Sequence, residues 1–142
     1  MSLQDDIAAI DHFSGLDAPE LGALLSGSEV ADYGDGEAIL DPEASKAIYS
    51  FLLSGRWWMR RRIVGVAEPR DWTDDRPGNW HGGIALIDAI APPEVRAEGP
   101  CRVLHVPRDL LDGLAAGNAH LAHAMLRGVR GGATMLHEHA TA

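Results

Sequence analysis

The sequence has 142 residues, 46% hydrophobic and 23% charged, a length and balance that fit one domain with its own core and exclude a disordered tail. Lys and Arg number 12 against 21 Asp and Glu, a formal net charge of -9; such a field repels phosphate backbones and anionic headgroups and excludes a generic nucleic-acid binder. One cysteine (Cys101), an acidic N-terminus and no apolar run near the ~20 residues of a membrane span point to a cytoplasmic protein with neither an internal disulfide nor a membrane anchor.

Leu3, Ile7 and Ile10 recur at i, i+4 and i+7 and predict a short helix with one apolar face, from which Phe13 and Leu16 lead out. Asp17, Pro19 and Glu20 predict the start of a second helix, with a carboxylate cap and its partner three residues on, running to about Leu25 and ended by Ser26-Gly27-Ser28. From Val30 the turn signals Gly34-Asp35-Gly36 and Asp41-Pro42 leave room only for short strands such as 37–40. Residues 47–53 and 57–66, parted by Ser54-Gly55, are rich in aromatic and branched side chains and predict a hairpin. Residues 67–83, with their prolines, glycines and aspartates, predict a long surface excursion; 94–97 and 102–106 predict two more strands.

Pro107 is placed to open a helix lined by Leu110, Leu111 and Leu114, and Gly117-Asn118 closes it and can cap another. In that last helix Leu121, Met125 and Val129 repeat every fourth residue until Gly128 and Gly131-Gly132 weaken it, each glycine costing roughly 1 kcal/mol against alanine. The expected plan is a mainly β domain with flanking helices. Closely spaced strands joined by tight turns favour antiparallel pairing in a jelly-roll, or double-stranded β-helix, over a parallel sheet, which needs crossover helices. The whole chain, 1–142, is expected to be one domain: helices in 1–26, the roll in 28–106, helices in 107–133 and a tail in 134–142.

Several landmarks follow in order: Phe13-Ser-Gly-Leu16, Tyr49-Ser-Phe-Leu-Leu-Ser-Gly55, Pro77-Gly-Asn-Trp-His-Gly82, Ile84-Ala-Leu86, Val95-Arg-Ala97 and Cys101-Arg-Val-Leu-His-Val106. Their succession over about residues 13–130 resembles the cyclic nucleotide-binding domains of the cyclic AMP receptor protein type. The resemblance implies a ligand pocket in the roll beneath a short phosphate cassette, and a final helix that often makes a dimer. It also implies a Glu accepting from a ribose hydroxyl and an Arg gripping the cyclic phosphate, with helix N–H groups completing the anion site. Here Gly83 stands at the Glu position and Ala91 at the Arg position, followed by Pro92 and Pro93, which donate no backbone hydrogen bond. Hydrogen bonds to charged groups contribute about 1.5 to 3 kcal/mol each, so loss of both anchors weakens a cyclic nucleotide by orders of magnitude. Arg96 could replace the cation only if it pointed inward, against the alternation that turns Val95 and Ala97 in.

The ligand-binding candidates are therefore Trp80, His81, Gly82, Gly83, Ile84, Ala85, Leu86 and Ala91, a set that favours an apolar or bulkier compound over a nucleotide. Trp57, Trp58, Trp72 and Trp80 are read either as core or as pocket lining. Ser50, Ser54 and Cys101 have no base nearby in sequence, and no catalytic residue is assigned. His120 with His123, and His137-Glu-His139, fall short of three or four converging ligands, so no metal or other cofactor is expected. Arg60-Arg61-Arg62 is read as a solvated strand paired with acids. No helix-turn-helix pattern follows the last helix within the sequence, which argues against direct action on DNA. The expectation is a non-catalytic small-molecule sensor or regulatory module with an unidentified ligand or protein partner, a possible homodimer through the last helix. The alternatives are a ligand-free interaction or scaffold domain and, third, a cupin-like metalloenzyme.

Overall fold

Apolar spacing and a reciprocal cap build the N-terminal part. In the structure, a computed structural model describing residues 3–8, 10–40, 48–61, 67–68, 70–81 and 94–126, helix α1 (Leu3–Ala8) is followed by a 3-10 turn (Asp11–Phe13) and helix α2 (Ala18–Gly27). Ile7, Ile10 and Phe13 are all buried, although Ile10 lies beyond α1. At α2 the Asp17 carboxylate accepts from the Glu20 N–H at 2.8 Å and the Glu20 carboxylate accepts from the Asp17 N–H at 3.0 Å, which satisfies two N–H groups that a helix start leaves free. The helix runs two residues past the expected Leu25, with the Ser26 hydroxyl donating to the Gly22 carbonyl.

Eight strands follow among the described residues: β1 (Glu29–Tyr33), β2 (Ala38–Leu40), β3 (Ile48–Ser54), β4 (Trp57–Arg61), β5 (Arg70–Asp74), β6 (Trp80–His81), β7 (Glu94–Ala97) and β8 (Cys101–Pro107). They form two antiparallel sheets in the orders β1-β8-β3-β6 and β2-β7-β4-β5. The expected plan of a mainly β body with flanking helices is what the chain adopts.

The predicted hairpin of 47–53 with 57–66 is not formed. β3 and β4 belong to different sheets, and the turn at Ser54-Gly55-Arg56 carries the chain across the sandwich. The physical cause is local: a bulge at Leu52/Ser54 bends the end of β3, and Gly55 at φ +87° lets the backbone pass against Pro100 and Cys101. β4 pairs instead with β5, five residues in register from Trp57↔Asp74 to Arg61↔Arg70. The stretch expected to be surface excursion, 67–83, thus holds two strands, β5 and β6, and Trp72 stands in β5 opposite Met59.

Helix α3 (Arg108–Gly117) starts after Pro107 and packs Leu110, Leu111 and Leu114 on the core. Asn118 then caps the next helical stretch, 119–126, by accepting from the Leu121 N–H at 3.1 Å, while its amide donates to the Gly15 carbonyl and to Glu20. The side chains of Leu121 and Ala124 are buried and Met125 packs on the same core, so the described part of the face expected to self-associate lies on its own roll. Leu126 is 49% exposed; Val129 lies outside the described residues, as do His137 and His139.

Two apolar clusters fill the molecule, one on each face of the sheet that contains β3 and β8. Tyr49, Phe51, Leu104 and Val106 face the helices together with Ile7, Phe13, Leu24, Leu111 and Leu121. Leu52, Cys101 and Val103 face the second sheet with Ile39, Trp57, Met59, Val95 and Ala97. Trp57 is fully buried core, its indole N–H donating to Asp74 at 3.1 Å. Trp58 is half-buried under the Arg60 guanidinium, which is held in turn by two bonds to Asp71. Cys101 is buried and burial pushes its thiol up, as for a small core side chain.

Because a Cβ at Gly55 would collide with the Pro100 carbonyl oxygen and sit 2.8 Å from Cys101, Gly55→Ala is expected to cost at least about 2 kcal/mol, read as a lower midpoint in urea unfolding. A midpoint unchanged from the parent chain would remove this account of the crossover.

Candidate functional site

The strand register places a row of polar residues across the inner face of the first sheet. Glu29 lies opposite His105, His105 opposite Ser50, and Ser50 opposite His81, a line that crosses β1, β8, β3 and β6 in turn. Because side chains alternate along a strand, Ser50 and His105 share a face with Leu52 and Val103, the face that meets the second sheet. Ser50 is the buried polar residue of this core at 0% exposure. Its hydroxyl is 2.8 Å from Nδ1 of His105, and Nε2 of the same ring is 2.7 Å from the Tyr33 hydroxyl.

In either neutral tautomer one ring nitrogen donates and the other accepts, and a hydroxyl can do both, so the three side chains satisfy one another. Burial holds the His105 pKa below its ordinary value of 6.5, against a smaller opposing pull from Glu29. Burial likewise raises Tyr33, with Glu29 adding to it.

A pocket of about 350 Å³ opens beside this chain. Its walls are Ile39 from β2, Ile48 from β3 and Pro107 at the end of β8; Tyr33 and His105 supply aromatic edges; Gly27 and Glu29 stand at the α2–β1 entrance. The Tyr33 and His105 rings meet at 89° with centroids 6.0 Å apart. Glu29 is the charged member of the described lining and is exposed. The nearest strand-end arginines serve the other face: Arg102 pairs with Asp32 at 3.2 Å, and Arg108 stacks on Tyr49.

Of the sequence-derived candidates, Gly82, Gly83, Ile84, Ala85, Leu86 and Ala91 lie outside the described residues. His81 ends the polar row by register. Trp80, one residue earlier, turns to the opposite face, half-buried among His12, Tyr49 and Phe51. That side is closed by α3: the Tyr49 hydroxyl donates to Asp112 at 2.7 Å and the Arg108 guanidinium lies 4.8 Å from the Tyr49 ring centre. Arg96 points outward, as alternation requires, bonded to Glu94 and the Gly36 carbonyl, while Val95 and Ala97 are buried. His120 is engaged with the Ser14 hydroxyl and the Asp11 carbonyl oxygen.

Sequence reasoning missed Ser50, His105, Tyr33 and Glu29 as a group, since they are separated by up to 76 positions and only register unites them. A signal was present: Ser50 and His105 are polar interruptions at inward positions of otherwise apolar strands. Their pairing has the appearance of a serine–base couple, yet the Ser50 oxygen has no access to a substrate and the far ring nitrogen meets a phenol. The arrangement holds and orients; it does not present a nucleophile.

No family model matches the chain, and no curated protein matches it. Solved structures do. The sensor domain of the transcriptional regulator DNR from Pseudomonas aeruginosa superposes with a TM-score of 0.72 at 15% identity, covering 89% of this chain and 90% of that one. The regulatory domain of Toxoplasma gondii PKA, solved with cAMP, gives 0.68 at 18% identity over 89% of this chain and 48% of that chain. The regulatory subunit of a cAMP-independent protein kinase A from Trypanosoma brucei gives 0.70 at 15% identity over 89% and 45%. The fold is that of the cyclic nucleotide-binding domains. The chain spans about half the length of the two kinase regulatory chains and nearly all of the sensor domain. Among the described residues no helix is long and apolar enough to cross a membrane.

Two substitutions test the polar chain. Ser50→Ala leaves a His105 ring nitrogen without its partner in the core and is expected to cost about 1 to 3 kcal/mol, whereas Tyr33→Phe costs less because water reaches that half-buried end; urea unfolding of the two variants gives the order.

The pH dependence follows from the depressed His105 pKa. The folded state takes up the proton later than the unfolded chain, so this group's contribution to stability is complete above about pH 6.5 and is lost as pH falls below it. Thermal melts from about pH 7.5 to about pH 5 are expected to fall less steeply for His105→Gln than for the parent chain. Tyr49, pushed up to about 12 by burial and by Asp112, has the opposite sign: its contribution is complete below pH 10 and lost as pH rises through about 12. Tyr49→Phe is expected to flatten that alkaline limb.

Proposed function

We propose that the chain is a non-catalytic regulatory module that senses a small molecule in the pocket between the two sheets, and that the molecule is not a cyclic nucleotide held in the usual way. The observation that carries this is the pocket itself. It lies on the inner face of the roll, walled by Ile39, Ile48 and Pro107 and edged by the Tyr33–His105–Ser50 chain, and no cation stands among its described lining residues. A cyclic phosphate needs a donor-rich, positively charged cradle, and the sequence has Gly83 and Ala91 where the resemblance calls for Glu and Arg. A similar fold occurs in a kinase regulatory subunit described as cAMP-independent.

In this reading Trp80, half-buried against Tyr49 and one residue before the register position that ends the polar row, links the roll to the helices. Ligand binding shifts the roll between two arrangements which a partner, or a second copy through the last helix, can read. A single buried, unpaired cysteine fits a reducing compartment such as the cytoplasm.

A thermal-shift screen over metabolites, with cyclic AMP and cyclic GMP included, tests it. A ligand at 100 times its dissociation constant stabilises by about 2.7 kcal/mol, a readily measured shift. The cyclic nucleotides are expected to give none at micromolar concentration, and Gly83→Glu combined with Ala91→Arg is expected to gain binding. A micromolar dissociation constant for either nucleotide on the parent chain, measured by calorimetry, would overturn the cassette reading.

A further inference from the structure

We infer that the pocket beside Tyr33 and His105 takes a compact organic amine, its protonated nitrogen at Glu29 and its apolar body against Ile39, Ile48 and Pro107. This rests on the reading of that pocket as a ligand site and adds the chemical class of the ligand.

Three observations point to a cation. First, Glu29 is the charged residue of the described lining, and no ion pair or hydrogen bond engages its carboxylate among the described residues. Second, among the described residues the arginines of β8 and of the start of α3 are held elsewhere: Arg102 by Asp32 and Asp6, and Arg108 against the Tyr49 ring on the far side of the sheet. Among the described lining residues an anion would meet a carboxylate and no counter-charge, while an ammonium gains one. Third, the polar atoms of the two rings are already engaged, the Tyr33 hydroxyl with His105 Nε2 and His105 Nδ1 with Ser50, which leaves the Glu29 carboxylate to hold the polar head of a ligand. Size bounds the body: about 350 Å³ lies at the lower end of the about 300–1,000 Å³ found for small-molecule pockets, room for a monocyclic or short aliphatic amine.

The discriminating experiment uses the full chain and matched probes that differ only in the head group: benzyl, phenethyl and hexyl bodies, each as amine, alcohol and carboxylate, titrated by calorimetry near neutral pH. At least one amine is expected to bind about tenfold tighter than its alcohol, with the carboxylate weakest. Glu29→Gln, an exposed substitution, is expected to bring the amine down to the alcohol's affinity and leave the alcohol unchanged. Ile48→Trp, which fills the pocket, is expected to abolish binding of both. Equal affinities for amine and alcohol, a preference for the carboxylate, or an amine unaffected by Glu29→Gln would overturn the inference while leaving a small-molecule site in place. Absence of binding by every probe, with a hit from another compound in the metabolite screen, overturns the amine and keeps the sensor; absence of any response in both experiments removes the two together.

Discussion

The sheet that contains β3 and β8 is covered on both faces, and this constraint organises the rest of the molecule. Helices close one side and the second sheet closes the other, so both central strands are largely apolar, with Tyr49 to Leu52 buried in β3 and Cys101, Val103, Leu104 and Val106 buried in β8. A polar side chain in such a strand must find its partner inside. Ser50 and His105 do so by standing opposite one another, and Tyr33 takes the remaining ring nitrogen from the neighbouring strand. The same burial that makes the hydroxyls necessary disfavours the charged imidazole.

Around that pair the two faces have different characters. The helix side is tightly tied, by edge-to-face contact of Phe13 with Phe51 at 4.9 Å, by Trp80 against Tyr49, and by Tyr49 bonded to Asp112 of α3. The inner side is apolar at one end, where Trp57, Met59 and Val95 pack, and opens into a pocket at the other, beyond the polar row. β6 joins the two characters within two residues: Trp80 belongs to the aromatic cluster of the helix side, and His81 holds the register position that ends the polar row. A displacement at residue 81 is thereby one peptide away from the helix-facing core.

Local signals were legible wherever the decisive partner is close in sequence. The reciprocal Asp17–Glu20 cap, the Asn118 cap, the short strands at 94–97 and 102–106 and the inward Val95 and Ala97 all follow from side-chain chemistry acting over two to four residues. The ordered succession of landmarks also pointed to the roll, through their resemblance to a known family. What misled was adjacency: Ser54-Gly55 has the composition of a hairpin turn, yet a bulge and a close approach to Pro100 make it a crossover between sheets. Trp72 and the prolines around it had the composition of a loop, and pairing with β4 made part of that stretch a strand. Trp80, grouped with the cassette by sequence position, lies on the other face because alternation within β6 turns it there.

By itself the sequence determined the helix starts, the mainly β antiparallel plan and the negative field, because each is a property of residue chemistry or of neighbours along the chain. Only the tertiary structure decided that Glu29, Tyr33, Ser50 and His105 share one face at one end of the roll, and that the arginines at 102 and 108 are turned away from it. The reason is register: strands far apart in sequence meet residue by residue under the packing of two cores, and a shift of one position would send every one of these side chains to the opposite face.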